Sequence, residues 1–299
     1  MEETKKNDGM KKGIIYTFIG AVLWGFSGTC GQYLFGNQQI SPGFVTVVRM
    51  LFSGVLLLLF SFIKQPEEVK AMWKEKKTII HLILYSIFGL AFSQYSYLTT
   101  ISYSNAGTAT VLQYLGPVLI MIYACICGRR LPSMKEFIAI LLAVFGTFLL
   151  ATHGNPSNMV LSKQGLSWGL LSAVGLLIYT VAAGNLIQRW GSFIVLGYAM
   201  IFGGIFMAIG TRVWTTPIQW NQNVILGLIA ISVLGTAISY TLYLQGVHLL
   251  GSVKASLIAS VEPVSATVIS AVWLHTVFGG VDIIGFICIM ITVFLLTKQ

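Results

Sequence analysis

The stretch that decides the fold is Gly251–Trp273, with the sequence GSVKASLIASVEPVSATVISAVW. It is long enough to cross a bilayer, which takes about 20 apolar residues. Glu262 lies at its midpoint, immediately before Pro263. A carboxyl group at this depth is costly and marks a candidate functional site, whereas a mid-span proline removes a backbone donor and bends the helix. We therefore predict a membrane-spanning helix with a hinge at Pro263.

A second stretch has the same layout. Asn105–Cys127 reads NAGTATVLQYLGPVLIMIYACIC and carries Pro117 near its middle. The shared arrangement predicts that the two helices are equivalent members of two halves of the chain. Pro117 is the second predicted hinge.

The composition indicates an all-α membrane protein. The 299 residues are 56% hydrophobic and 9% charged, and the mean hydropathy is +0.83. A soluble domain is about 25% charged, so a lipid bilayer is the expected environment. The net charge of +9 does not indicate nucleic acid, because the basic residues lie in short loops beside apolar spans. All four cysteines fall inside apolar stretches without metal-type spacing, so we expect no metal and no cofactor.

Ten membrane spans are predicted, in two sets of five. They follow a polar tail at residues 1–12, which we do not interpret as part of a cleaved leader. Residues 13–152 form the first half, residues 153–164 a linker rich in turn formers, including Pro156 and Ser157, and residues 165–297 the second half. Pro66 could open a short helix that rests on the membrane surface through Val69, Met72 and Trp73. The ten spans are Gly13–Phe35, Gly43–Phe62, Thr78–Ile101, Asn105–Cys127, Met134–Thr152, Gly165–Gln188, Ser192–Val213, Val224–His248, Gly251–Trp273 and Val281–Leu296.

The basic residues follow this topology. With the amino terminus inside, 14 of the 18 lysines and arginines lie in cytoplasmic segments, and only Lys163 and Arg212 lie outside. This asymmetry is the positive-inside pattern. An even number of spans then places both termini in the cytoplasm of a multi-pass protein of the plasma membrane.

The second half repeats the first. An offset of 146 places Tyr97 on Tyr243 and Pro117 on Pro263, and an offset of 152 aligns span 1 with span 6 less clearly. Because each half has five spans, an odd number, the halves enter the membrane from opposite sides. The prediction is an inverted-topology repeat, the design of many alternating-access transporters.

Several of these features resemble one family, the EamA-type drug/metabolite transporters. They are the Tyr243–Leu244 pair, a small-residue turn, an Ala/Ser-rich helix face, Glu262–Pro263, Trp24–Gly25, Arg49 after Ser41–Pro42, and Tyr179–Thr180. The resemblance extends from Gly13 onward. It implies ten helices in a five-plus-five inverted fold, cytoplasmic termini, export or uptake of small metabolites, and a cavity lined by spans 1, 3, 4, 6, 8 and 9.

Two departures from the family pattern are visible. Many members carry Gly-Glu after spans 4 and 9, where this chain has Arg129 and His275. The first-half counterpart of Glu262 is Gly116, so the two halves differ chemically at the centre.

Polar and aromatic residues are expected to line the cavity. Ala109, Gln113 and Pro117 share one helix face, as do Ala255, Ala259 and Glu262. An aromatic site with few charges suits planar or weakly cationic solutes. The candidate substrate-binding residues are Trp24, Gln94, Tyr97, Gln113, Tyr179, Tyr240, Tyr243 and Glu262.

The ionisable candidates each keep two interpretations. Glu262 could carry a coupling proton or bind an amine, or it could only bond a carbonyl freed near Pro263. Arg49 could hold a substrate carboxylate, but we favour a structural role in which it bonds helix-end carbonyls. Lys254 lies about 12 Å from Glu262 along the helix, too far for direct contact. It could pair with Glu262 through water or a substrate carboxylate, but we favour a structural role in which it extends to the cytoplasmic edge.

These features predict a secondary active exporter of amino acids, nucleobases or amphipathic, weakly cationic compounds, with proton coupling in one version. The alternative is a facilitative carrier, channel or scramblase without proton coupling. The chain lacks paired membrane-embedded aspartates and the motifs His-Glu-x-x-His and Gly-x-Ser-x-Gly, so we do not expect an enzyme. One chain could hold the whole site, as a monomer or a homodimer.

Overall fold

A computed structural model describes residues 2–155 and 159–297, and helices dominate the secondary structure over these ranges. Residues 156–158 of the predicted linker, and Lys298 next to the carboxyl-terminal residue, lie outside the described residues. The helices are α1 (Glu2–Gly36), α2 (Pro42–Lys64), α3 (Pro66–Ala71), α4 (Lys76–Leu84), α5 (Phe92–Tyr103), α6 (Ala106–Gln113), α7 (Gly116–Cys127), α8 (Met134–Thr152), α9 (Lys163–Trp190), α10 (Ser192–Thr211), α11 (Gln222–Ile229), α12 (Ser239–Leu250), α13 (Ser252–Ala259), α14 (Glu262–Leu274) and α15 (Gly280–Thr297).

Within residues 2–155 and 159–297, nine helical stretches are long and apolar enough to cross a membrane. Four of the nine combine α4 with α5, α6 with α7, α11 with α12, and α13 with α14. Gly280–Leu296 is a shorter apolar helix at the position of the tenth predicted span. The chain is therefore an all-helical, multi-pass membrane protein.

Both predicted kinks are interruptions of the helix. Span 4 breaks at Tyr114 and Leu115, and α7 then begins at Gly116 with Pro117 in its first turn. Span 9 breaks at Ser260 and Val261, before α14 begins with Glu262 and Pro263. Proline fits the first turn of a helix because the N–H it lacks would be unpaired there. The breaks place short helix ends in the middle of the bundle.

Two wider helical turns were not predicted from the sequence. The segment Tyr85–Ala91 between α4 and α5 and the segment Ala230–Ile238 between α11 and α12 are π-helical. Such insertions are uncommon and often occur at functional sites. They lie at corresponding positions in the two halves, within the helices that carry Gln94 and Tyr240.

The two halves pack on each other reciprocally. Helix α1 packs on α12 and α9 on α5, while α2 packs on α10 and α8 on α15. Small residues permit the closest approaches: a Cβ atom at Gly235 would lie 2.3 Å from Cβ of Ser27, and one at Gly89 would lie 3.3 Å from Cα of Tyr179. Gly89 and Gly235 differ by 146 in number, and Ser27 and Tyr179 by 152. The contacts thus follow both sequence offsets.

The predicted surface helix is present but lies differently from the expectation. Helix α3 begins at Pro66, and Trp73 is 48% exposed, but Val69 and Met72 are 0% and 1% exposed. They join a buried apolar cluster with Tyr198 of α10. The prediction that Val69 and Met72 rest on the membrane surface is therefore wrong, because the bundle itself covers them.

Candidate functional site

A central cavity of about 590 Å³ lies between the two halves. All eight candidate substrate-binding residues line it, as do Arg49 and Pro117. Residues far apart in the chain thus meet at one place, although their role in binding remains a prediction. Spans 2 and 10 also contribute, through Arg49 and Val293, which the family resemblance did not imply.

Some predicted positions lie elsewhere. Ala109 and Ala255 are fully buried and do not line the cavity, so only the later residues of each predicted face reach it. Pro263 lines a separate apolar groove of about 540 Å³, together with Ile283 and other residues of α15. Lys254 is exposed outside the cavity lining.

Tyr114 is a cavity residue that the sequence did not predict. Its hydroxyl donates to the backbone oxygen of Ala259 at 3.0 Å and lies 3.2 Å from Oε2 of Glu262. Tyr114 occupies the break between α6 and α7, and Ala259 and Glu262 flank the break between α13 and α14. The sequence signal that could have indicated it is Pro117, which marks the helix break three residues before it.

Arg49 is the buried cation of the site. Its side chain enters from α2 and is 5% exposed. Its Nε donates to Oγ1 of Thr236, in the π-helical segment, at 2.7 Å, whereas Nη1 has no hydrogen-bond partner among the described residues. The predicted bonds to helix-end carbonyls are replaced by this hydroxyl contact. A buried guanidinium donor without a partner is unfavourable unless a ligand or water supplies an acceptor.

Aromatic side chains form one wall of the cavity. The Trp24 ring lies 5.2 Å from Tyr240, edge to face, and 4.9 Å from Tyr243. Across the lining, Nε2 of Gln94 lies 3.5 Å from the Tyr240 hydroxyl. Tyr97 is held by a 2.9 Å hydrogen bond to Thr110. These contacts fix the rings, which lowers the cost of ordering them around a bound solute.

The cavity extends toward one end of the bundle. Its lining follows α9 from Leu176 through Gly184 to Gln188, two residues before the helix ends, and faces Ser256 on α13. We call this the basic end, because Arg189 forms an ion pair there with Glu75. Access to the central residues is therefore from the basic end.

The opposite end, which we call the far end, is packed shut. Gln32 near the end of α1 donates from Nε2 to Oγ1 of Thr276 at 2.8 Å, and its Oε1 accepts from the backbone N of Ala106 at 2.8 Å. Trp273 stacks on Tyr33 with ring centres 5.4 Å apart. These contacts join α1, α6 and the end of α14 beyond the cavity.

The acid and base inventory of the cavity is small. Among the described residues, its lining includes one acidic side chain, Glu262, and one basic side chain, Arg49. The same part of the chain contains no group of three or more His, Cys, Asp or Glu side chains arranged to hold a metal ion. The site can accept a small solute that offers complementary charge and a flat apolar surface.

A helical membrane bundle with a central cavity between two similar halves is suited to a protein that moves small molecules across a membrane. The chain belongs to the EamA-like transporter family, whose model matches residues 11–152 and 163–298. It is thus a small-molecule transporter of the drug/metabolite transporter superfamily.

Known relatives agree with this assignment. The chain is 36% identical to the uncharacterized inner membrane transporter YicL of Salmonella typhimurium, over 96% of this chain and 95% of that protein. It is 23% identical to the uncharacterized transporter YcbK of Bacillus subtilis, over 95% and 92%. It is 24% identical to the threonine/homoserine exporter RhtA of Salmonella typhimurium, over 84% and 79%.

A solved crystal structure has a similar fold. Its TM-score is 0.62, and the match covers 95% of this chain and 96% of the other at 15% identity. This likeness concerns the fold alone.

Proposed function

We propose that the protein is a secondary active transporter that moves small metabolites across the plasma membrane by alternating access, with both termini in the cytoplasm. One observation carries the proposal: the cavity is lined from both halves, open toward the basic end and closed at the far end. A carrier exposes a central site to one side at a time. The positive-inside pattern supports a cytoplasmic basic end.

The carrier would consist of two inverted five-helix repeats. The paired helix breaks, the paired π-helical segments and the reciprocal packing support this arrangement. The starts of α8 and α15 correspond as well. Glu136 of α8 accepts a hydrogen bond from Ser133 N at 2.7 Å, and Asp282 of α15 accepts one from Gly279 N at 2.8 Å. In this scheme, Pro117 and Pro263 are hinges that let each broken helix bend when the halves exchange conformations.

The solute would combine a small polar part with a flat or apolar part. Arg49 supplies a donor for a carboxylate or another acceptor, Glu262 can pair with an amine, and Trp24 offers a ring face. Amino acids, nucleobases and weakly cationic amphipathic compounds meet these requirements. The direction we propose is export, supported by the resemblance to a relative named as an exporter.

Glu262 would carry the coupling proton. It is the acidic group of the cavity, half-buried at the break between α13 and α14. The competing version is a facilitative carrier without coupling. A specific contact favours it: Tyr114 bonds both Glu262 and the Ala259 oxygen, which gives the carboxyl a structural partner.

Reconstitution in liposomes tests the carrier itself. Purified protein should show saturable uptake of a labelled amino acid or aromatic amine and should accelerate counterflow when unlabelled solute is inside. Flux that rises linearly with concentration and shows no exchange would instead indicate a channel or a scramblase. Melting-temperature screening in detergent against amino acids, nucleobases and aromatic amines would first select the solute.

The Glu262→Gln variant tests the coupling. It should abolish transport driven by a pH gradient and preserve solute exchange, since the amide cannot exchange a proton but retains an oxygen that can accept from Tyr114. Glu67→Gln is the matched control, because Glu67 lies in α3, outside the cavity. Unchanged gradient-driven uptake in Glu262→Gln would leave the uncoupled carrier.

A further inference from the structure

The two ends of the bundle are closed by different means. At the far end, the Gln32 side chain bonds α6 and the segment after α14 at once. The offset of 152 that relates α1 to α9 places Gly184 at the corresponding position near the basic end. Gly184 has no side chain, and a Cβ atom built there would meet nothing within 4 Å.

The partners of Gln32 make it a bridge between the halves. Ala106 begins α6 in the first half, and its backbone N–H is one of the donors that a helix start leaves without an intrahelical acceptor. Thr276 follows α14 in the second half. One amide group therefore satisfies a helix start and holds a residue 170 positions away from that start in sequence.

The packing around this bridge is close. A Cβ atom at Gly107, next to Ala106, would lie 2.8 Å from Oγ1 of Thr267 and 3.0 Å from the Phe278 ring. By contrast, the cavity separates α9 from α13 at the basic end, with Gly184 on one side and Ser256 on the other. The far end, where Gln32 lies, is therefore closely packed, whereas the basic end, where Gly184 lies, borders the cavity.

We infer that Gln32 is the gating residue that keeps the far end closed, and that glycine at position 184 leaves the basic end without a matching pair of hydrogen bonds. The inference rests on the proposed alternating-access function. It implies that the substrate-free carrier rests with its cavity open to the basic end. Opening the far end requires the two Gln32 hydrogen bonds to break.

Two variants should shift the equilibrium in opposite directions. Gln32→Leu supplies an apolar side chain of similar size and loses both bonds, so the ratio of far-end-closed to far-end-open molecules should fall about tenfold. Gly184→Gln adds an amide at the cavity lining, which also includes Ser256 of α13, and should raise the fraction closed at the basic end. The matched control is Gln222→Leu, because Gln222 is an exposed glutamine in the first turn of α11 at the far end.

Spin-label distance measurements on the full chain in lipid nanodiscs provide the readout. One labelled cysteine pair replaces Asn37 and Val277 at the far end, and another replaces Asn185 and Lys254 at the basic end. The natural cysteines are first replaced by serine or alanine; they are Cys30, Cys125, Cys127 and Cys288.

The expected result is a longer far-end distance in Gln32→Leu, a shorter basic-end distance in Gly184→Gln, and parental distances in Gln222→Leu. Parental distances in Gln32→Leu would overturn the gating role of Gln32, and an unchanged basic-end distance in Gly184→Gln would overturn the role of position 184. A change of pH or a bound solute that shifts the parental distances shows that alternating access operates even when Gln32 has no gating role. If neither spin-label distance changes under any condition or in any variant, both the gating role and the proposed alternating access fail.

Discussion

The hydroxyl of Tyr114 lies 3.2 Å from the carboxyl of Glu262, and this contact joins the two broken helices at the centre of the protein. The same hydroxyl donates to the Ala259 oxygen at 3.0 Å. A helix that contains proline cannot satisfy every carbonyl along its length, and a side chain from a neighbouring helix can supply the missing donor. Tyr114 thereby stabilises the break next to the residue that we propose as the proton carrier.

Removal of this hydroxyl should destabilise the protein. Tyr114→Phe leaves a buried carbonyl and a carboxyl oxygen without their donor, which costs about 1–3 kcal/mol of unfolding free energy. Thermal or denaturant unfolding in detergent measures the change. Tyr103→Phe is the control because Tyr103 is 49% exposed and lies outside the cavity. Equal stability of the two variants would show that the Tyr114 bonds contribute nothing measurable.

Arg49 should determine affinity for solutes with a carboxylate. Arg49→Gln removes a charged donor, and a hydrogen bond to a charged group is worth about 1.5–3 kcal/mol, or about 10- to 100-fold in affinity. An amino acid should lose this affinity, whereas the amine formed by removing its carboxyl group should not. Binding of the two solutes to each variant, measured by calorimetry, checks the expectation.

Thr236 provides the companion test for Arg49. Thr236→Val keeps the Arg49 charge but removes the acceptor that holds Nε at 2.7 Å. The loss of amino-acid affinity should therefore be smaller than in Arg49→Gln. An equal loss for the acid and the amine in Arg49→Gln would mean that the guanidinium orders the helices and does not contact the solute.

Trp24 should contribute through its ring face. Trp24→Ala should weaken binding of an aromatic amine by about 0.5–2 kcal/mol, the range of cation–π contacts, whereas Trp24→Phe should keep most of the affinity. Trp214→Ala controls for loss of an indole, since Trp214 is 68% exposed away from the cavity. Equal binding in Trp24→Ala and Trp24→Phe would place the solute elsewhere in the cavity.

The sequence predicted the helices because apolar length and loop charge specify them locally. It also predicted that Gln94 and Tyr240 line one cavity; the two residues differ by 146 in number, and their side chains lie in contact. Membership in the EamA-like family is confirmed by a match over both halves.

The positions that the sequence did not predict depend on side-chain direction. Tyr114 was overlooked because the predicted face followed a four-residue spacing through Ala109, Gln113 and Pro117, which passes over the break at Tyr114 and Leu115. Arg49 was assigned to helix-end carbonyls because the π-helical turn that carries Thr236 has no clear sequence pattern. Ala109 and Ala255 were placed on cavity faces because helical spacing alone does not reveal where a neighbouring helix covers a face.

Gly25 should be the least replaceable glycine of α1. A Cβ atom there would lie 2.1 Å from Oγ of Ser265, 2.6 Å from the backbone N of Ala266 and 2.9 Å from the backbone O of Glu262. The serine hydroxyl could rotate away, but the two backbone atoms cannot move unless α1 and α14 separate. Gly25→Ala should therefore destabilise the protein by about 1–3 kcal/mol, the usual cost of overpacking.

The same substitution should disturb the cavity, because Trp24 precedes Gly25 and Glu262 supplies one of the two backbone contacts. Solute affinity should fall together with the melting temperature. Gly36→Ala is the matched control: it lies in the same helix, and a Cβ atom there would meet nothing within 4 Å. Since alanine favours helix more than glycine does, Gly36→Ala should leave stability unchanged or slightly higher. If Gly25→Ala matched that control in melting temperature and binding, α1 and α14 would have to be farther apart in the membrane than these contacts require.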